Sequence, residues 1–407
     1  MMSETYERFS ATANQIAGAA VAAQEIGNDV LWANRYLAVH GEPAGTLDGA
    51  LLRTIQDGFR AVLPSAQSRY FVLADLCLKT GIELNRCAWI YYDTEERNYE
   101  RLNANLLFPE SIDAYDPETP AAGPARPYPD PVRTGVAGRT ELPHPEAPDE
   151  DVREIVAEAA GWLGDVDKTI EMLTEWSPIA QVIEPLDGNW NELRRLGNAY
   201  RIAGEAVEAG GENLDAVVRA LDPHWNGQAA RAFTDYAGRI VDALRWEGPV
   251  GRVVEETCNL VAEKIREAIV TAVRSLKEML EEEVAFDDGM QTLKFALKKV
   301  PFAGTAVQIL TLARIVRDTI AFVDDVVTRI RALTDALRAF LDALASPANA
   351  LQEQVDHTLA PLTEAYERTE HRAAVAVDLA GVADVRGPVN KPSEPYSVGE
   401  NPWADAP

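Results

Sequence analysis

Apolar positions in this chain recur at three- and four-residue steps. Leu73, Cys77, Gly81, Leu84, Ala88 and Tyr91 fall on one face of a helix. A first helix is expected from about Ser3 to Leu37. The turn His40–Gly45, HGEPAG, follows and carries the glycine and proline that stop helices. A second helical stretch comes next, with an interruption near Pro64 and a restart capped by Ser65. Two long antiparallel helices joined by a short loop make a helical hairpin over residues 1–105.

Residues 106–150 lose this period. Ten of the 24 prolines lie between Pro109 and Pro148. Proline removes donors and turns the preceding residue away from helix, so the stretch is expected as a semi-extended linker between two folded units. Helical patterning returns over 151–380. One helix is expected from about Asp151 to Trp176 and another from about Asn189 to Leu221, with Gly210 and Gly211 as a weak spot. A third begins after Gly227. In it Val254, Thr257, Val261, Ile265, Ala268, Ala272, Leu276 and Met279 approach a heptad. Further helices are expected from near Gly304 to Leu344 and from about Asn349 to Ala380. Residues 381–407 are rich in Pro, Gly and polar residues and are expected to be a disordered tail. No alternating strand pattern of useful length occurs, so the fold class is all-α.

Charge narrows the partners. The 407 residues include 38 Lys+Arg against 65 Asp+Glu, a formal net charge of -27. Such a surface repels phosphate backbones and anionic headgroups, which disfavours nucleic acid and anionic membranes as ligands. Hydrophobic residues make up 47% of the chain, enough for cores. The three cysteines are expected to be buried thiols. Cys77 and Cys87 share a helix and stand about 15 Å apart, beyond disulfide reach. A pairing of either with Cys258 stays open. The N-terminal stretch carries Glu4 and Glu7 in place of a basic region and does not read as a cleaved signal. The uncharged run Val300–Ala313 is shorter than the roughly 20 residues of a membrane span. It reads as a buried helix, or as one that contacts a membrane surface after release.

Enzymatic constellations are missing from the sequence. His40, His144, His224, His357 and His371 are scattered. There is no H-E-x-x-H, C-x-x-C, P-loop or nucleophile elbow. Glu281–Glu283 and Asp324–Asp325 read as solvated helix faces. No catalytic residue, metal site or cofactor is expected.

Two motifs stand out. The first is Trp225-Asn226-Gly227, within LDPHWNGQAARAFTDYAGRI. Asp222 and Pro223 end a helix, Trp225 folds back as an apolar cap, and Gly227 frees the backbone where the next helix starts. Ala229, Ala230 and Phe233 then face the partner helix. The second is CAWIYYDTEERNYERL, in which Tyr91 and Glu95 stand four apart, as do Tyr92 and Glu96.

The W-x-G turn, with its downstream Ala-Ala, Phe and Tyr over about 187–250, resembles the WXG100 superfamily of helical hairpins exported by type VII (ESX) secretion systems. It is most similar to the long actinobacterial forms. The second motif resembles the Y-x-x-x-D/E export signal of such substrates, as found on EspC-like N-terminal hairpins. The resemblance covers residues 1–105 and about 185–250 and departs from the family in placing both motifs on one chain. It implies an exported, non-enzymatic protein that leaves the cytoplasm for the exterior or cell surface without a signal peptide. Tyr91 and Glu95, with Tyr92 and Glu96 as the alternative pair, would be read by the export ATPase. A WXG-like helical partner, self-association or packing on the second module would cover the apolar stripe of the first hairpin. The alternatives are the export module of a polymorphic toxin, disfavoured by the roughly 30 residues after the last helix, and a cytosolic secretion scaffold or chaperone.

Overall fold

The computed structural model describes residues 10–45, 47, 50–103, 126–133, 140–146, 150–175, 177–186, 188–283, 305–345, 360–364, 366 and 372–397. Helix α1 spans Ala13–His40 and buries Ile16, Ala20, Ile26, Val30, Ala33 and Leu37. Each fully buried Ile or Leu contributes about 1.5–3 kcal/mol. The helix ends where the Gly41 N–H donates back to the Leu37 carbonyl at 2.7 Å. Residues 10–12, expected as helix, are non-helical because they pair with a distant turn described below.

Helix α2 runs unbroken over Ala50–Asn103, with Pro64 inside it. The expected interruption does not occur. An internal proline costs about 3 kcal/mol, but Phe59, Val62, Leu63, Ala66 and Tyr70 around it are all buried and hold the helix through the gap.

The single helix expected over Asp151–Trp176 is split. Gly161 has φ +54°, which stops α3 (Val152–Ala160) and starts α4 (Trp162–Thr174) in a new direction. Helix α5 is Pro178–Ile183, and its Ser177 cap accepts from the Ala180 N–H at 2.9 Å. Helix α6 covers Trp190–Leu221, capped by Asn189, and α7 covers Gln228–Glu283. Helices α8 (Thr305–Ala345), α9 (Arg372–Ala383) and α10 (Arg386–Asn390) complete the set. Among the described residues the only β feature is an isolated bridge, so the all-α class expected from the pattern is the one observed.

Helices α6 and α7 form an antiparallel hairpin along a seam of small residues. Gly197, Gly204 and Gly211 recur every seven positions on α6. A methyl group on Gly197 would come within 2.8 Å of the Glu255 Cα, and one on Gly204 would collide with the Glu247 carbonyl oxygen. Across the seam, a Cβ on Gly251 would stand 2.5 Å from the Tyr200 carbonyl oxygen. Gly210 and Gly211, expected as a weak spot, sit inside an unbroken helix. There the former faces Ile26 and Val30 of α1, and the latter Leu244 and Arg245 of α7. The α1–α2 hairpin repeats the device, with Gly27 against the Ala74 carbonyl and Gly81 against the Ala20 carbonyl.

The two hairpins pack on each other, α1 against α6, and α8 lies along α2 and α7. Arg69 of α2 marks the junction. It pairs with Glu247 of α7 at 2.7 Å and donates to the Leu344 carbonyl of α8 at 2.7 Å. The units expected at 1–105 and 151–380 therefore share one core.

The stretch expected as a spacer is partly docked. Tyr128 N–H donates to Asn85, the Arg126 carbonyl accepts from Trp89 Nε1 at 2.8 Å, and Val132 N–H donates to the Asn14 carbonyl. The tail expected from residue 381 also begins as structure. Helix α9 reaches Ala383, α10 follows, and Tyr396 is buried; residues 398–407 lie outside the described residues. So does Val300–Gly304. No described helix is long and apolar enough to cross a membrane.

Two expectations follow from this packing. Gly204→Ala should lower unfolding free energy by about 1–3 kcal/mol through overpacking. Gly238→Ala on α7, where nothing lies within 4 Å of the new methyl group, should raise it by about 0.5–1 kcal/mol. Urea denaturation midpoints read both. Burial pushes the Cys77 and Cys87 thiols up to about 12, and raises Cys258 further. All three are free and buried. A maleimide at pH 8 should leave them unlabelled in the native protein and label three after denaturation, counted by intact mass.

Candidate functional site

The residues singled out by the two motifs meet at one end of the paired hairpins. Helix α6 closes in a 3-10 turn, Asp222–His224, with Pro223 supplying the fixed backbone angle. Trp225 follows in extended conformation, φ -148° and ψ 118°. Gly227 has φ +97°, which side-chain-bearing residues rarely adopt, and α7 starts at the next residue. The turn is thus short, and the indole is directed back between the helices, 3% exposed.

There it reaches Tyr91 of α2. Trp225 Nε1–H donates to the Tyr91 hydroxyl oxygen at 3.1 Å, and the two rings stand edge to face with centroids 6.3 Å apart. Phe233, one and a half turns into α7, packs on the indole at 5.7 Å. Tyr91 is 4% exposed and is also hydrogen-bonded to the Cys87 thiol. Burial pushes its hydroxyl well above the ordinary phenol range, with Cys87 adding to the rise, so it stays protonated at any physiological pH.

An extended N-terminal strap closes the corner. Thr12 N–H donates to the His224 carbonyl and Asn226 N–H to the Ser10 carbonyl, both at 2.9 Å, and Ala11 bridges Trp225 in antiparallel sense. The Asn226 side chain in turn accepts from the Ser10 N–H. These bonds satisfy backbone groups that a tight turn would otherwise leave unpaired. On the far side the segment after α10 folds over α7. The Tyr396 ring sits 5.5 Å from Phe233 and 5.6 Å from Tyr236, and its hydroxyl donates to the Ala229 carbonyl at 3.2 Å.

The candidate signal pairs divide at this corner. Tyr91 is inside it, while Glu95 and Glu96 are exposed on the last turns of α2. Tyr92 is 40% exposed, its ring 5.8 Å from Trp89 and 5.9 Å from Tyr128 of the docked linker. Tyr91 and Glu95 are therefore not a jointly accessible pair, whereas Tyr92 and Glu96 both reach the surface. Nothing in the sequence places the two motifs in contact, and neither Ser10–Thr12 nor Tyr396 stands out there. A tyrosine in SEPYS, alone in a polar Pro-rich run, was the only available hint of the latter.

The bond between the motifs has a measurable strength. A double-mutant cycle on Trp225→Phe and Tyr91→Phe removes the donor and the acceptor while leaving an aromatic ring at each position. The coupling energy from urea denaturation should be about 0.5–1.5 kcal/mol, and additive losses would show that the contact contributes nothing.

Comparison with protein-family models, with curated proteins and with solved structures finds no match to this chain.

Proposed function

We propose that this protein is a substrate of a type VII secretion system, exported without a cleaved signal and acting through its helical surfaces and not by catalysis. The observation that supports the reading most is the joining of the two motifs. A tyrosine of the Y-x-x-x-E segment and the tryptophan of the W-x-G turn, 134 residues apart, share a buried hydrogen bond. The resemblance makes the first the export signal and the second the hairpin turn, and the fold of this chain brings them together at one corner.

In this reading Trp225 and Tyr91 position the corner, Gly227 makes its turn, and the exposed acidic end of α2, Glu95 and Glu96, is what the export ATPase reads. Tyr92 sits on the same exposed end and joins that surface. The packing of α1 on α6 meets the need for helical company that a separate WXG-like chain would otherwise meet. The high negative charge suits a protein that acts on other proteins and not on nucleic acid.

Culture filtrates of the native host test the proposal. Glu95→Gln with Glu96→Gln removes two exposed charges and should cut the exported fraction at least tenfold while leaving the thermal midpoint unchanged. Trp225→Ala and Tyr91→Ala should cut export as strongly and lower the midpoint as well. Export at the wild-type level in all of these variants removes the signal assignment. Loss of export only in the variants with a lowered midpoint assigns the corner to folding alone.

A further inference from the structure

Two histidines distant in sequence meet at the end of the first hairpin. His40 closes α1, and its ring stands edge to face with that of His144, centroids 4.7 Å apart. The Tyr36 ring lies at the same distance from it. His144 belongs to 140–146, a piece of the Pro-rich stretch without regular secondary structure. Besides the histidine contact, three features hold that piece. Pro145 is buried, Leu142 packs half-buried against the core, and the Glu146 N–H donates to Asn198 Oδ1 at 2.9 Å. Between the piece and α1 runs an open crevice of about 680 Å³, lined by Trp32, Arg35, Tyr36, His40 and Leu142 among others. Opening 140–146 breaks no helix, so it is far easier than global unfolding.

A new positive charge is poorly placed here. The C-terminal end of a helix ordinarily accommodates a cation. In α1 that place is filled by Arg195 of α6, which donates to the His40 carbonyl at 3.0 Å and to the Glu42 carbonyl at 2.8 Å. Glu192 is committed to Arg195 and to the Ala44 N–H. Arg35 of α1 adds a further cation over the Trp32 ring. Burial pushes the Tyr36 hydroxyl up to about 12, so it stays neutral. Glu42 in the loop and Glu141 in the crevice wall are exposed, where water screens their attraction. Burial, then His144 and Arg195, hold the His40 imidazole below its ordinary value of 6.5. The docked arrangement therefore favours a neutral ring. Its contribution is complete above pH 6.5 and is lost as pH falls through the lowered value. Two protonated rings at 4.7 Å repel even in water.

We propose that the His40–His144 contact is an acid-sensitive latch, which holds 140–146 against α1 at neutral pH and releases it on acidification, widening the crevice and uncovering more of Trp32 and Tyr36. The latch goes beyond the export reading and does not rest on it, since it is built from the end of α1 and the Pro-rich stretch and uses no residue of either motif.

Two measurements on the full chain decide it. In the first, the His40 ring proton signal is followed by NMR from pH 8 to pH 5 and assigned through His40→Phe. Its midpoint should fall below 6.5, and a midpoint at or above that value overturns the proposal. In the second, native-state hydrogen exchange reads the Glu146 amide, which the Asn198 side chain protects. Its protection, corrected for the intrinsic pH dependence of exchange, should fall about fivefold between pH 7.5 and pH 5.5 relative to Ile240–Leu244 of α7. In His144→Phe, which keeps a ring but carries no proton, that fall should be absent. Glu146 protection that tracks α7 at both pH values overturns the proposal, and so does an equal fall in wild type and variant. If His144→Phe leaves Glu146 unprotected at pH 7.5, His40→Phe takes its place with the same expected outcome.

Discussion

The closeness of α6 to α7 governs the rest of the structure. Where Gly197, Gly204 and Gly211 meet Glu255, Glu247 and Arg245, the two backbones come nearer than any side chain would allow. Close approach multiplies dispersion contacts that are individually about 0.1–0.2 kcal/mol. It also fixes register, because a slip of one residue would drive a Cβ into the opposing backbone. With register fixed, the ends of the two helices are fixed, and the link between them has room only for a 3-10 turn and three residues. The inward position of Trp225 is a consequence of that shortage of chain.

Stacking the hairpins adds a second constraint. Arg69 and Glu247 are largely withdrawn from water, and such a pair gains little net stability but strongly disfavours arrangements that leave either charge alone. With Leu344 as third member, the pair aligns α2, α7 and α8 at one point. Arg195 performs a similar task at the first turns of α6, the end away from Trp225. Its guanidinium donates to the His40 and Glu42 carbonyls while pairing with Glu192, and Glu192 accepts from the Ala44 N–H. The loop of the first hairpin is thereby fastened to the first turns of α6, so the two hairpins are joined at both ends.

Much of this was legible in the residues, and the parts that were not have a common cause. Periodicity alone gave the all-α class and placed α6 within a residue of its observed limits, because a buried face leaves a 3.6-residue imprint. Local propensity misleads here in both directions. Pro64 predicts a break but is bridged by buried neighbours, while Gly161, which local propensity does not mark as a stop, separates two helices. The Pro-rich composition predicts a spacer, yet its described parts are docked, since hydrogen bonds from Asn85 and Trp89 to its backbone leave no pattern in sequence. The corner shows the same limit. Trp225 and Tyr91 could each be singled out from neighbours in sequence, but a contact between residues 134 apart is invisible without the packing of one hairpin on the other.

The way the α1–α2 hairpin is covered has a consequence for synthesis. Its last residue, Asn103, is made before any of α6, and the helix that covers it ends at Leu221, about 120 residues later. At about 5–20 residues per second, the first hairpin waits roughly 6–24 s outside the ribosome with Ile26 and Val30 uncovered. During that interval the nascent chain presents an apolar helical face that the finished protein does not possess. A chaperone that recognised such a face would meet this protein only while it was being made.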